Sequence, residues 1–257
     1  MKSIEHAILM NGPLAAGATE HMLANGRMTV ERLPFTVRVV RSKTALSKAV
    51  AIRQAAYARH VPAFAEKLKT PEPNDYDQGS MILLAESKLD GSPVGTIRVQ
   101  ANRYRSLAIE QSAELPAQMQ GRSMVEATRL AIAEGRVGRV TKVVLIKALY
   151  LYCLEANIDW VIAGARPPLD KQYDAFLMDD LYQGRLIPLR HAGDIPHRIL
   201  ALDVPGAKAR WTQAGHPLLD FMCNTSHPDI DLSNADFSSW SRAAPGAELP
   251  EKVAISA

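Results

Sequence analysis

Cysteine is scarce: Cys153 and Cys223 are the only two in 257 residues, and they stand in unrelated contexts. Without a C-x-x-C pair or a cysteine–histidine spacing of the zinc-binding kind, the chain offers neither a zinc module nor a disulfide framework. His191, His197, His216 and His227 are scattered and form no i, i+4 pair, so no metal site is expected. An excess of one charge is also missing. The formal charge of +3 is too small to indicate nucleic acid, and any basic surface must be local. No apolar run reaches the ~20 residues of a membrane span. The longest, from Val143 to Ala156, contains Lys147 and runs into Glu155, which makes it a buried helix. Near the start, Glu5 and His6 interrupt what would be the charged and apolar regions of a signal peptide, so a cytoplasmic protein with reduced thiols is expected. No internal repeat or low-complexity tract is visible.

What is present suffices for one core, since 47% of the side chains are apolar. The expected organisation is an N-terminal leader over 1–33, a core over 34–205 and a C-terminal extension over 206–257. Alternation predicts a strand from Phe35 to Val40. Leu46, Val50, Arg53 and Tyr57 recur on one face of a helix from Thr44 to His60. Two strands, from Met81 and from Pro93, flank a short turn and form an antiparallel hairpin. A strand from Ser123, a helix from Val140 to Ala156, a strand from Asp159 to Ala165 and a helix from Leu169 to Leu181 follow. Two closing strands, LIPLRH and HRILALDV, complete an α/β architecture with a mixed sheet flanked by helices.

Three features carry chemistry. Arg53 lies on the apolar stripe of its helix, where a guanidinium needs a carboxylate or a ligand to satisfy it. A structural ion pair with Asp75 or Asp77 is one reading and a substrate contact is the other. Thr96 and Arg98 share one face of their strand, opposite Ile97 and Val99. Glu126 and Arg129 are three apart, which in a regular strand sends them to opposite faces. A β-bulge would unite them, and an irregularity is therefore predicted between Val125 and Arg129. The third feature is EGRVGRVTK, which sets Gly135, Arg136, Gly138, Arg139 and Lys142 around a helix N-terminus. Cations there oppose the helix dipole, and a bound phosphate would resolve the conflict. Ordinary glycines and arginines of a surface turn are the alternative.

Taken in order, Arg53 and Tyr57 in RQAAY, Asp77 in NDYDQGSMILLA, Arg98 in VGTIRV, and Glu126 and Arg129 in EATR resemble the N-acyl amino acid synthases that use acylated carrier protein. More distantly they resemble the acyl-homoserine lactone autoinducer synthases. The resemblance spans residues 35 to 204 and implies the N-acetyltransferase-like fold, with helices on both faces of the sheet. No tryptophan occurs between Tyr57 and Asp77, where lactone synthases usually have one, which weakens a reading that uses S-adenosylmethionine. The loop from Gly135 to Arg139 is an imperfect acetyl-CoA motif, which turns the expectation toward carrier protein rather than free CoA.

The resemblance implies transfer of a fatty acyl group from a phosphopantetheine thioester to the amine of an amino acid, with no tightly bound cofactor. Amine attack on a thioester needs a proton acceptor, because amino acids at neutral pH are mostly ammonium ions. Glu126 is the expected base, acting directly or through water. Arg129 and Arg98 would orient it or hold the acceptor carboxylate, with Arg53, Tyr57 and Asp77 completing the acceptor site. Arg136, Gly138 and Arg139 would hold the pantetheine phosphate, and the same basic rim would receive an acidic acyl carrier protein. Tyr173 would protonate the departing thiolate or serve only in packing. The competing readings are a lactone-forming autoinducer synthase and a non-catalytic acyl or carrier-protein binding module.

Overall fold

The structure, a computed structural model, describes residues 28–237. Most of the expected leader, and with it the stretch read for export, lies outside the described residues, as does the end of the expected extension. Within the described residues no helix is long and apolar enough to cross a membrane.

The centre is a nine-stranded mixed sheet. Strand β1 (Thr29–Val30) stands apart, and β2 (Phe35–Val39) enters the sheet with Phe35, Val37 and Val39 buried and Arg38 exposed, the alternation expected of a half-covered strand. Helix α1 (Lys43–Ala58) is capped by Ser42, whose hydroxyl accepts the Ala45 N–H at 3.2 Å, and it turns Leu46, Ala49, Val50 and Arg53 inward. A short α2 (Pro62–Ala65) follows. The hairpin of β3 (Ser80–Ser87) and β4 (Pro93–Ala101) is buried along nearly its whole length, because both faces of the sheet are covered. Strand β5 (Met124–Ile132) pairs antiparallel with β4 and parallel with β6 (Trp160–Ala165). Helix α3 (Gly135–Glu155) makes the crossover between them and packs Val143, Val144 and Ala148 on one face of the sheet. The opposite face is covered by α1 and, beside it, by the connection from 102 to 123, which buries Leu107, Ile109 and Met119.

Two expected helices differ in extent. Helix α3 begins at Gly135 rather than Val140, so the glycine–arginine segment forms its first turn instead of preceding it. The helix expected from Leu169 to Leu181 shrinks to α4 (Lys171–Asp174), and Leu177 at φ +55° ends any continuation. Beyond it, β7 (Asp179–Asp180) pairs with the outer edge of β9 (Ile195–Asp203), whose exposed ladder outweighs the helical periodicity of the segment. Strand β8 (Ile187–Leu189) forms a hairpin with β9, and β9 pairs antiparallel with β6.

Among the described residues, those from 206 to 237 join the same core. Helix α5 (Val204–Gln213) buries Trp211, whose indole N–H donates to the Phe176 carbonyl at 2.9 Å. Strand β10 (Thr225–Ser226) pairs with β1, and β11 (Ile230–Asp231) adds a parallel strand to the edge of β2. Lys147, the cation in the middle of the apolar helix, anchors this return. Its ammonium donates to the carbonyls of Phe221 and Thr225 and to Nδ1 of His227 at 2.9 Å.

Candidate active site

Strands β5 and β6 stay paired only from Met124 opposite Trp160 to Ala127 opposite Ala163. Beyond that point they separate, and a cleft of about 550 Å³ opens between them. The cause lies on the other side of β5. Residues 96 to 98 of β4 oppose residues 128 to 131 of β5, so β5 carries one extra residue. Arg129 takes up that excess in the left-handed region at φ +55°, which bends the strand away from β6. The predicted irregularity is thus present, at the end of the interval where it was expected.

The cleft is lined from the α1 side by Tyr57, Phe64 and His191, along β5 by Ala127 to Ala133, and from the α3 side by Arg139, Lys142, Ile146, Tyr173 and Phe176. At its mouth stands the N-terminus of α3, a positive dipole end with no acidic residue in its first turn. Gly138 is required there. A Cβ at this position would meet the Ala133 carbonyl oxygen at 1.7 Å, so only glycine lets the first turn press against the end of β5. Arg139 is exposed on the rim, and Lys142 reaches Gln172 at 2.8 Å. Burial, with the neighbouring Arg139, holds the Lys142 ammonium below its usual lysine range. Arg136 is exposed and does not line the cleft.

Below the cleft lies a buried ionic network. Arg53 donates from Nη1 to both oxygens of Asp75, at 3.1 and 2.9 Å, and to Glu72 at 3.2 Å. Arg98 spans the same two carboxylates at 3.1 and 3.0 Å and donates from Nε to the Thr128 hydroxyl at 3.2 Å. Arg129 clasps Glu72 through Nε and Nη2, and its guanidinium lies 5.1 Å from the centre of the Phe64 ring. Burial disfavours ionisation of Glu72 and Asp75, but the three arginines outweigh it and hold both carboxyls below their ordinary values. Arg53 therefore follows the ion-pair reading, with Asp75 as partner. Neither Arg53 nor Arg98 lines the cleft, because the buried Asp75 and the partly buried Glu72 claim them. Asp77 is also outside it, paired with Arg105. Of the four residues expected at the acceptor site, Tyr57 alone lines the cleft; Arg129 reaches it by way of the bulge.

Glu126 is 1% exposed and in register with Ile162, on the α1 side of the sheet. Its Oε2 accepts the Ile109 N–H at 3.0 Å, and its Oε1 lies 3.1 Å from Nε2 of His191. His191 sits on the turn between β8 and β9, and its carbonyl accepts from Arg129 Nη2 at 3.3 Å. The bulge thus brings Glu126 and Arg129 to one residue, His191, that no local sequence pattern singles out. Glu72 was missed as well, since a turn glutamate announces no partner. Tyr173 lines the α3 side, and burial pushes its hydroxyl up, so that it stays protonated. Among the described residues no cluster fit for a metal ion occurs.

A splayed parallel pair, a bulged strand beside it and a glycine-bearing helix N-terminus at its open end define an acyltransferase of the N-acetyltransferase type. The profile of the N-acyl amino acid synthase FeeM family matches residues 48–195, more than half of the chain, and the chain belongs to that family. Among solved structures, FeeM, an N-acyl amino acid synthase from uncultured soil microbes, superposes with a TM-score of 0.53 at 18% identity, over 70% of this chain and 96% of that one. BjaI, a CoA-dependent acyl-homoserine lactone synthase solved with SAM and isopentyl-CoA, gives 0.47 at 15% identity, over 75% and 93%. The acyl-homoserine lactone synthase LasI gives 0.44 at 16% identity, over 67% and 93%. A search of curated protein sequences returns no significant match.

Proposed function

We propose that the chain transfers a fatty acyl group from the phosphopantetheine thioester of an acyl carrier protein to the amine of an amino acid. The observation that carries this reading is the cleft between β5 and β6, which has a phosphate-type helix terminus at one end and the buried Glu126 beside it. The pantetheine phosphate would lie against the first turn of α3, held by its N–H groups with Arg139 and Lys142, while the arm runs into the cleft beside β5. Ile146 and Phe176 offer apolar contact for the acyl chain. Arg129 belongs to a network of three arginines and two carboxylates, so an acceptor carboxylate beside it would even the charge.

The chemistry is aminolysis. The amine nitrogen bonds to the thioester carbon, the carbon–sulfur bond breaks, and the sulfur leaves as a thiolate. In this reading Glu126 draws off the amine proton, directly or through water, and protonated Tyr173 lies on the side from which the sulfur would depart. Both cysteines are unpaired, in keeping with a cytoplasmic reaction. The test is mass spectrometry of purified protein incubated with long-chain acyl carrier protein and all twenty amino acids, with acyl-CoA and S-adenosylmethionine in separate arms. An N-acyl amino acid supports the reading; methylthioadenosine with an acyl lactone, or no product from any donor, overturns it.

A further inference from the structure

We infer that Arg166 holds the carboxylate of the acceptor amino acid, so that the two substrates are fixed by cations on opposite faces of the sheet. Arg166 directly follows β6, where that strand has parted from β5, and it lines the cleft. Along β6, Val161 and Ala163 pack in the core beneath α3, while Ile162 belongs to the cluster on the other face. Alternation carries Arg166 to that other face, and its Nη2 donates to the His60 carbonyl, just beyond α1, at 3.3 Å. The phosphate assigned to the first turn of α3, with Arg139 and Lys142, belongs to the face that α3 covers.

What sets Arg166 apart is that it has no anion. Arg129, on the facing strand, gives Nε and Nη2 to Glu72, and Arg59 has Glu134 at 3.3 Å. Among the described residues Glu134 is the one acid on the cleft lining, so none is left for Arg166. A long bond to a neutral carbonyl is its one hydrogen bond there. Arg129 and Arg166 also converge on His197, another lining residue. Burial, and then the neighbouring His191, Arg166 and Arg129, hold that imidazole below the usual histidine range. A half-buried guanidinium without a counter-ion, among other cations, is matched by an anionic ligand, and a carboxylate fits its fork at two points. This inference rests on the acyl-transfer reading and specifies what selects its acceptor. The carboxylate lies beside Arg129 but is bonded by Arg166, whose fork is not already committed.

The test compares the acceptor found in the amino acid screen with its own carboxamide, using the acyl carrier protein thioester as donor. The wild-type enzyme should prefer the acid, because the amide leaves the guanidinium without its anion. In Arg166→Ala and Arg166→Gln that preference, taken as the ratio of kcat/KM for acid and amide, should fall by about 10- to 10²-fold. The fall should come mainly from a raised KM for the acid, with KM for the thioester little changed. Arg166→Lys, which keeps the charge but not the fork, should retain part of the preference. Each ratio is measured within one enzyme preparation, so a loss of folded protein cancels from it. No preference in the wild type, an unchanged ratio in both variants, or a rise in KM confined to the thioester would each overturn the inference while leaving acyl transfer standing. Absence of product from the wild-type protein would instead remove the reading on which it rests.

Discussion

Arg129 holds Glu72 in a two-point grip, Nε at 2.8 Å from one carboxylate oxygen and Nη2 at 2.7 Å from the other, from a backbone position in the left-handed region. The bulge that opens the cleft is thus fixed to the turn before β3. Glu72→Gln removes one charge from a buried network and leaves Arg98 and Arg129 with a poorer partner. Chemical denaturation should show a loss of about 3–5 kcal/mol, the range for breaking a buried pair from one side. A stability within 1 kcal/mol of wild type, on the order of a surface substitution, would mean that the network does not hold the bulge.

Acid should unfold the protein through the same residues. Glu72 and Asp75 have folded values lowered from 4.5 and 3.8, so their stabilising contribution is complete above those ordinary values. It is lost as the pH falls from that range through the depressed folded values, because the unfolded chain then binds more protons. A urea midpoint measured from neutral pH downward should be level at first and drop below about pH 4. In Asp75→Asn the drop should be shallower.

Gly138→Ala should harm thioester binding more than its size suggests. The added methyl has no space against the Ala133 carbonyl, so the first turn of α3 must lift away from β5. The expected outcome is a stability loss of about 1–3 kcal/mol, as for overpacking, with a raised KM for the acyl donor. Unchanged KM and melting temperature would mean that the turn yields freely.

Arg139→Ala and Lys142→Ala test the phosphate assignment. Each should raise KM for the acyl carrier protein thioester by about tenfold at low salt with kcat nearly unchanged, and the difference should shrink as salt increases. If donor affinity and salt dependence stay at wild-type values, the phosphate lies elsewhere.

Lys147→Met should loosen the chain after α5. Burial lowers the lysine to about 8, and His227, lowered to about 4 by burial and by Lys147, stays neutral and can accept from the ammonium. Methionine keeps the volume but leaves two carbonyls and a ring nitrogen without their donor. Limited proteolysis should cut the segment from Phe221 to Asp231 faster than in wild type, while equal cutting rates would deny Lys147 this role.

Strands β2 to β6, β8 and β9 were legible because their burial alternates or is continuous over the right lengths, and the expected run from Pro93 to Ala101 is the one observed; the two-residue strands β1, β7, β10 and β11 are too short to carry a pattern. The segment from Leu169 to Leu181 was not, since its periodicity is helical while the free edge of β9 claims Asp179 and Asp180. Arg53 was readable as a buried charge, and Asp75 as one of two possible partners, from helix spacing alone. His191 was out of reach. It lies on a turn far along the chain from Glu126, and their contact depends on β6 lying between β5 and β9, which no local pattern contains.

The parallel pairing of β11 with β2 has a consequence for synthesis. Strand β2 emerges from the ribosome early and pairs with β3 on one side, but its other edge waits until Ile230 and Asp231 arrive. During that interval the nascent chain presents an open row of amides and carbonyls beside Phe35, Val37 and Val39, the kind of edge that recruits foreign strands. A ribosome stalled shortly after α5 would therefore hold a chain with the cleft between β5 and β6 already built and its sheet still adhesive. Truncation before residue 230 is accordingly a matter of solubility before it is one of catalysis.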